Sequence, residues 1–312
     1  MGAKKQGRKL EKPKAGALPK KALTKARETQ IVHALQARTD SVLRTSCNPD
    51  ELILPSSATS ASAASRRVIL HYHLFKNAGT SVDELLRQNF ASQSATHEFG
   101  SPRHDIAAAM VEFIRSNPHL RAISSHTALL PVPQIDGIEI FPIIFVRHPI
   151  DRLRSAYEFE RRQKANTHGA RLAKAHDLRG YLTALLEPPR SRQARNFQTY
   201  RLALGSPGAG NYRARALQTI GALPFIGLVD AFEESVRRLT DQLSGYFPEF
   251  APSIPHANAQ MSVARLSLVE RLAAVRSSVG NAFYQELAGS NADDLYIHEY
   301  VSTSYGKALS PE

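Results

Sequence analysis

The sequence contains no tryptophan and a single cysteine, Cys47, among its 312 residues. One cysteine excludes an internal disulfide and any metal site built from several cysteines. A reducing compartment is therefore compatible with the chain. No apolar run approaches the roughly 18–20 residues of a membrane-spanning helix, and the N-terminal segment lacks the apolar stretch of a secretory signal. We therefore expect no membrane span and a cytoplasmic location.

Charge is unevenly distributed along the chain. The first 30 residues carry ten Lys or Arg against two Glu, so they contribute +8 of the net charge of +12. Residues 1–20 combine Lys, Gly and Pro with few apolar groups, which predicts a disordered basic tail. Residues 21–65 are predicted to form a short helix and a linker rich in small residues. Residues 66–308 are predicted to form one domain.

Strands and helices alternate after residue 66. Buried strands are predicted at 67–73, 120–125, 138–146 and 225–229. Helices are predicted at 82–90, 149–164, 177–186, 192–204, 213–220, from about 230 to 245, 262–275, 279–287 and from 293 onward. This pattern predicts an α/β fold: a single P-loop-like domain whose central, mainly parallel sheet is flanked by helices, with a helix-rich C-terminal half.

The first loop of this pattern, residues 73–81, reads His-Leu-Phe-Lys-Asn-Ala-Gly-Thr-Ser. The free N–H groups and the dipole at the start of the following helix favour an anion. Gly79 is expected to let the backbone approach a phosphate, and Lys76 adds a positive charge. Thr80 and Ser81 add hydroxyl donors or cap the helix, with Asp83 in its first turn. The segment predicts a phosphate-binding loop.

This loop differs from a Walker A motif. In that motif the lysine follows the glycine, and the next Ser or Thr holds Mg²⁺. Here Lys76 precedes Gly79 by three residues. The order predicts a different nucleotide and chemistry without an obligatory metal, and no His, Cys or Asp residues have the spacing of metal ligands.

A second anion-binding segment is predicted where the third strand ends. Arg147 follows that strand, and Ser155 lies two turns into the next helix, which Pro149 begins. An arginine fork and a hydroxyl give directional bonds to one phosphate. Ligands of open α/β sheets bind beyond the carboxyl ends of the strands, and both segments lie there.

Together the two segments resemble the donor-binding motifs of PAPS-dependent sulfotransferases, above all the carbohydrate branch that includes heparan-sulfate 2-O-sulfotransferase. In that branch the first motif often reads His-Ile-Pro-Lys-Thr-Gly/Ala-Gly-Thr-Ser, and the second Arg-Asp-Pro-x-x-Arg-x-x-Ser-x-Tyr. The chain departs from this pattern at Phe75, Asn77 and His148. The matching positions are His73, Lys76, Ala78, Gly79, Thr80, Ser81, Arg147, Pro149, Arg152, Ser155 and Tyr157.

The resemblance implies a PAPS-dependent O-sulfotransferase, with PAP as the product and no metal. It implies that the 5′-phosphosulfate is bound by Lys76, Asn77, Ala78, Gly79, Thr80 and Ser81. It assigns the 3′-phosphate to Arg147 and Ser155, and leaves open whether Arg152 and Tyr157 bind or are structural. The implied acceptor is a hydroxyl of a carbohydrate or glycolipid, and without an anchor we expect a bacterial enzyme that binds no specific nucleic acid.

Two catalytic roles are assigned from the chemistry. Lys76 is the cation that stabilises the leaving oxygen of PAP. His126, at the end of the second strand, is the predicted base, because the pKa of histidine lies near neutrality. His73 competes for that role, and His104, His148 and Glu98 are more remote alternatives.

Two other functions remain open from the sequence. A P-loop-related kinase would require ATP and Mg²⁺. A non-enzymatic nucleic-acid binder would use the basic tail to neutralise phosphates, but it would leave both internal segments unexplained.

Overall fold

The computed structural model describes residues 66–100, 105–187, 191–252 and 266–308. Within these ranges the chain forms an α/β fold around a parallel sheet, as the alternating pattern predicted. The predicted basic tail (1–20) and the predicted helix and linker (21–65) lie outside the described residues.

The six strands of the described residues form two parallel sheets. The larger has the order β2-β3-β1-β4, and the smaller pairs β5 with β6. The strands are β1 (Arg66–Tyr72), β2 (Ser94–Thr96), β3 (Ala122–Ser125), β4 (Ile138–Ile143), β5 (Phe145–Val146) and β6 (Gly227–Leu228).

Eleven α-helices cover most of the other described residues. They are α1 (Gly79–Phe90), α2 (Ile106–Ser116), α3 (Pro149–Arg162), α4 (His168–Ala175), α5 (Leu178–Leu186), α6 (Phe197–Ala203), α7 (Tyr212–Ala222), α8 (Phe232–Leu243), α9 (Leu268–Val279), α10 (Asn281–Ser290) and α11 (Ala292–Ala308).

Both faces of the central strand β1 are buried. Leu70 belongs to a core that includes Met110 of α2, whereas Ile69, which points to the other face, shares a core with Val82 of α1 and Leu239 of α8. Successive residues of a strand point to opposite faces, so a continuous apolar run is what a strand covered on both sides requires. The carboxyl end of β1 therefore emerges between two packed layers.

Two predicted elements are interrupted in the structure. The predicted strand 138–146 divides after Ile143, because the chain leaves β1 as its partner and pairs with β6 instead. The predicted helix 192–204 is also divided. Residues Arg192–Ala194 form a 3-10 turn, and Asn196 adopts a left-handed conformation with φ of 43° before α6 begins. Asparagine tolerates that conformation better than most residues.

A buried amide, that of Gln198, joins the two segments predicted to bind phosphate. Its Oε1 accepts hydrogen bonds from Asn77 Nδ2 (2.7 Å) and from the Arg147 amide (2.8 Å), while its Nε2 donates to the Arg147 carbonyl (2.8 Å). The carboxylate of Asp294 is fully buried. It accepts hydrogen bonds from the backbone N–H of Gln198 (3.1 Å) and from the backbone N–H and the hydroxyl of Thr199 (2.7 Å each). These bonds fix residue 77 relative to residue 147.

We call the hydrogen bonds of Gln198 to Asn77 and to the backbone of Arg147 the Gln198 clamp. Substitution of Gln198 tests it. Gln198→Ala leaves several buried donors and acceptors unpaired, each costing about 1–3 kcal/mol. We expect the free energy of unfolding to fall by about 3 kcal/mol in urea titrations. The control is Gln134→Ala, whose exposed side chain lies in a loop; it should change stability by less than about 0.5 kcal/mol. Equal, small effects of both variants would contradict the clamp.

Candidate active site

A cleft of about 1270 Å³ brings the predicted site residues together. Eight of the nine residues predicted to bind the donor or to catalyse transfer line this cleft. They are Lys76, Ala78, Gly79, Thr80, Ser81, His126, Arg147 and Ser155. The cleft is larger than the roughly 300–1,000 Å³ of ordinary small-molecule sites.

The loop at the carboxyl end of β1 presents free backbone donors to this cleft. Helix α1 begins at Gly79, three residues earlier than predicted, and its N-cap is Ala78, which has a left-handed φ of 59° and no side-chain cap. Thr80 and Ser81 therefore lie inside the first turn instead of capping it, and Asp83 lies in the second turn. The N–H groups of Ser81 and Val82 donate to the Ala78 carbonyl (2.9 and 3.1 Å). The first N–H groups of a helix have no acceptor within it, so those of Gly79 and Thr80 are available to an anion.

The side chain of Lys76 packs on an aromatic ring. Its φ is 65°, another left-handed value, and its Nζ lies 4.5 Å from the centre of the Phe159 ring. Phe75 packs edge-to-face on the same ring at 5.7 Å. Burial, followed by the charges of Arg147 and Arg162, lowers the pKa of Lys76. Phe75, one of the departures from the sulfotransferase pattern, thus packs against the ring that holds the lysine.

Asn77, the ninth predicted residue, points away from the cleft. Its side chain is buried, and Nδ2 donates to the Phe145 carbonyl (2.7 Å) and to Gln198. This second departure from the pattern therefore anchors the loop from beneath, and its side chain is not placed to touch a ligand in the cleft.

The imidazole of His73 is sufficient to explain why residue 79 is a glycine. A β-carbon built on Gly79 would overlap the imidazole of His73, including its Nε2. The ring of His73 therefore occupies the space beside the first residue of α1. The expectation that this glycine also lets the backbone approach a phosphate stays a prediction.

Asp83, which lines the cleft, has a carboxylate that binds three neighbouring side chains. It accepts hydrogen bonds from His71 Nδ1 (3.0 Å), His73 Nδ1 (3.1 Å) and the Ser124 hydroxyl (2.5 Å). Burial alone would raise the pKa of Asp83, but the two histidine hydrogen bonds hold it well below its usual value. Burial lowers the pKa of His71.

Among the described residues, the two histidines and Asp83 could together hold a metal ion. Donor atoms of His71, His73 and Asp83 all lie within 4.8 Å of one another. Hydrogen bonds already account for their arrangement, because the carboxylate accepts from three donors and a carboxylate can only accept. No residues with the spacing of metal ligands were expected from the sequence, so this cluster was not predicted.

A second pair of imidazole and carboxylate stands beside the first. His126 Nδ1 lies 2.6 Å from Glu98 Oε1, and both side chains are nearly half exposed. The ring of His126 packs against that of His73 in a tilted arrangement, with a centroid distance of 3.9 Å. The two candidate bases are therefore in contact, and each has a carboxylate at its Nδ1.

Arg147 is oriented by a chain of ion pairs that runs through the buried Asp151. Its Nε and Nη2 bind Asp151 Oδ2 (2.8 and 2.7 Å), and its Nη1 donates to the Lys76 carbonyl (3.0 Å). The fully buried Asp151 also pairs with Arg271 (2.9 Å), which pairs with Asp230 (2.9 Å). Burial would raise the pKa of Asp151, but Arg147 and Arg271 lower it. Three of the five guanidinium donors are used, so two remain for a ligand.

Arg152 and Tyr157 are structural. The fully buried guanidinium of Arg152 donates to the Gln193 carbonyl and lies 4.8 Å from the centre of the Phe197 ring. The hydroxyl of Tyr157 donates to the His176 carbonyl (3.1 Å). Neither residue lines the cleft.

Sequence reasoning missed Asp83 as the partner of two histidines, Arg271 as the second partner of Asp151, and Phe159 as the support of Lys76. The alternation of His71 and His73 on one strand face was a usable signal for the first. The other contacts join residues far apart in sequence, and no local pattern indicates them.

Comparison with known proteins identifies an archaeal relative. A protein from Archaeoglobus fulgidus, described as an "Uncharacterized protein", is 38% identical over 248 residues, which cover 77% of this chain and 98% of the relative. No family model matches the chain.

The overlap between Gly79 and His73 yields a test. Gly79→Ala forces a β-carbon into the imidazole, and overpacking of this kind costs about 1–3 kcal/mol. Removal of the ring in the double variant His73→Ala/Gly79→Ala should recover much of that loss. We expect a coupling of more than about 1 kcal/mol in the double-mutant cycle of unfolding free energies.

The matched control is Gly221→Ala, because a β-carbon there meets nothing within 4 Å. Alanine favours a helix over glycine, so this variant should be neutral or stabilised. Additive effects of His73→Ala and Gly79→Ala would contradict the contact.

Proposed function

The chain belongs to the same family as the Archaeoglobus fulgidus protein, and we propose that it is a PAPS-dependent sulfotransferase with a P-loop-like domain. The reaction moves a sulfuryl group from PAPS to an acceptor hydroxyl and releases PAP. The acceptor is a carbohydrate or glycolipid.

One observation carries the proposal. The uncapped start of α1 with Lys76, and the pair formed by Arg147 and Ser155, line the same cleft although about 70 residues separate them. A nucleotide with a phosphate group at each end needs two anion sites at a fixed separation. The Gln198 clamp fixes the distance between the loop that contains Lys76 and the segment that contains Arg147.

The order of residues in the loop favours PAPS over ATP. In a P-loop kinase a Ser or Thr directly after the lysine holds Mg²⁺, whereas Asn77 follows Lys76 here and its side chain is buried. A basic loop that relies on its own lysine and backbone amides suits a donor that needs no metal.

The proposed mechanism is in-line transfer. The sulfur–oxygen bond to the phosphate breaks as the acceptor oxygen bonds to sulfur, and His126 takes the acceptor proton while Glu98 holds its Nδ1. Lys76 stabilises charge on the departing oxygen, and the amides of the loop bind the phosphate and sulfuryl oxygens. Arg147 and Ser155 bind the 3′-phosphate, and the remaining volume of the cleft receives the acceptor.

Location is also proposed. Among the described residues, no helix is long and apolar enough to cross a membrane. We propose a cytoplasmic enzyme.

Thermal unfolding tests donor binding. A ligand at 100 times its Kd stabilises a protein by about 2.7 kcal/mol, which corresponds to a rise in Tm of about 5–10 °C for a domain of this size. PAP without metal should produce this rise, whereas ATP with Mg²⁺ and short DNA should not. A rise with ATP and Mg²⁺ alone would favour a kinase instead.

Two substitutions separate binding from transfer. His126→Ala should keep its affinity for PAP and lose transfer by about 10²–10⁴-fold, as removal of a general base does. Lys76→Ala should lose more in turnover than in PAP affinity. The exposed Lys174 lies outside the cleft, so Lys174→Ala is the control and should change neither. Full activity of His126→Ala would refute its assignment as the base.

A further inference from the structure

The cations that suit the donor lie at the α3 side of the cleft. Ser155, Phe159 and Arg162 follow one another along α3 at spacings of four and three residues, so they share a face of that helix. Lys76 packs on the ring of Phe159, and Arg147 comes two residues before α3 begins. Under the proposed function, the acceptor then occupies the part of the cleft away from α3.

That part of the cleft is a groove between α1 and one face of strands β2 and β3. Ser94 and Thr96 of β2 pair in register with Ala122 and Ser124 of β3, so the four side chains point to the same face of the sheet. All four line the cleft, and Ser124 donates to Asp83 of α1 (2.5 Å), so this is the face that α1 covers. Their small size leaves space between the sheet and the helix. We call the space between these four residues and α1 the α1–β2 groove.

The groove reaches the proposed base. Strands β2 and β3 run parallel, so their carboxyl ends lie at one edge of the sheet. Glu98 follows β2 by two residues and His126 follows β3 directly, and the two side chains meet there at 2.6 Å. The donor loop begins α1 at the same edge, because β1 is parallel to β3. A molecule that fills the groove therefore ends where an acceptor hydroxyl is required.

On α1, all of whose residues the structure describes, the cation that lines the groove is paired with a carboxylate. Arg87 donates from Nε and Nη2 to Glu84 (2.9 and 2.6 Å), and Gln88 donates to the same carboxylate (3.0 Å). Asp83 adds a second carboxylate, so the α1 side of the groove has two negative charges and one positive charge. An anionic acceptor would lie against these carboxylates, and like charges placed together oppose binding.

The same side chains suit uncharged hydroxyl groups, which both donate and accept hydrogen bonds. The carboxylate of Glu84 accepts, and the amide of Gln88 can do both. The exposed Thr96 hydroxyl has no hydrogen-bond partner among the residues that the structure describes. Donors and acceptors mixed in this way match the hydroxyl groups around a sugar ring, and a few such polar groups fix the orientation of a ligand.

We propose that the α1–β2 groove binds the acceptor and that the acceptor is a neutral sugar, with no carboxylate or sulfate on the part that enters the groove. This inference rests on the proposed function and narrows its substrate class. The cations of the cleft serve the donor, and the groove selects an uncharged acceptor. One hydroxyl of the sugar then faces His126, which takes the proton as that oxygen bonds to sulfur and PAP leaves.

A glycan array treated with the complex of the protein and PAP tests this assignment. Saturating PAP occupies the cationic region, which suppresses binding of acidic glycans there. The array pairs each uronic-acid oligosaccharide with its carboxyl-reduced counterpart, which keeps the stereochemistry and has no charge. The complex should bind neutral members, carboxyl-reduced ones included, at least about tenfold more tightly than the uronates.

Variants assign the binding to the groove. Thr96→Phe places a ring over the floor of the groove and should weaken glycan binding about tenfold or more, with the Kd of PAP unchanged. Gln93→Phe introduces the same ring three residues earlier, at an exposed position outside the cleft, and should retain both affinities. Gln88→Lys adds a cation to the groove and should shift the preference towards uronates. Tm values show that each variant is folded.

The outcomes separate the two proposals. If the wild-type protein binds no PAP, the proposed sulfotransferase function fails, and this inference fails with it. The donor assignment stands and only the neutral acceptor is overturned if the complex with PAP prefers uronates or binds no glycan. The same holds if Thr96→Phe binds neutral glycans as tightly as Gln93→Phe does.

Discussion

The candidate site depends on one buried amide. Gln198 accepts from Asn77 in the first anion-binding segment and exchanges two hydrogen bonds with the backbone of Arg147 in the second. Buried polar groups of this kind are costly when unpaired, so the two segments cannot move apart without a large loss. The carboxylate of Asp294 in turn accepts hydrogen bonds from the backbone N–H groups of Gln198 and Thr199. The helix-rich C-terminal half thus fixes the position of the predicted site residues, which lie between residues 76 and 155.

Electrostatics divide the cleft into a cationic region and an imidazole region. Lys76, Arg147 and Arg162 line the cationic region, where phosphates are expected. In the imidazole region, the rings of His73 and His126 are in contact, with Asp83 at Nδ1 of one and Glu98 at Nδ1 of the other. A donor with several negative charges suits the cationic region, and a group that gives up a proton suits the imidazole region. The proposed transfer reaction therefore depends on this separation of cationic and imidazole side chains as much as on any single residue.

The sequence predicted those elements of the fold that local patterns determine. The continuous apolar run of β1, the loop that follows it and Pro149 at the start of α3 all correspond to elements of the structure. The four predicted strands exist, although the third changes partner after Ile143 because β6 lies beside its second half. Helices α2 and α4 and strand β2 were not predicted.

The site was only partly predicted for a similar reason. Residues within each segment, such as Lys76 and Ser155, could be identified from spacing, and eight of the nine reach one cleft. The reasons for those residues could not be identified, because they are tertiary. Gly79 is small because His73 fills the adjacent space, and Asn77 is an amide because Gln198 and Phe145 lie beneath it. Such partners are found only once distant segments of the chain are brought together.

In the proposed function, one cleft binds both ends of a 3′-phosphorylated nucleotide. The most direct measurement compares the Kd of PAP with that of AMP, which lacks the 3′-phosphate, in the wild-type protein and in Arg147→Ala without metal. The account predicts that the wild-type protein binds PAP about 10- to 100-fold more tightly, as loss of charge-assisted hydrogen bonds implies, and that Arg147→Ala loses most of this preference. Equal affinities for PAP and AMP in the wild-type protein would contradict it.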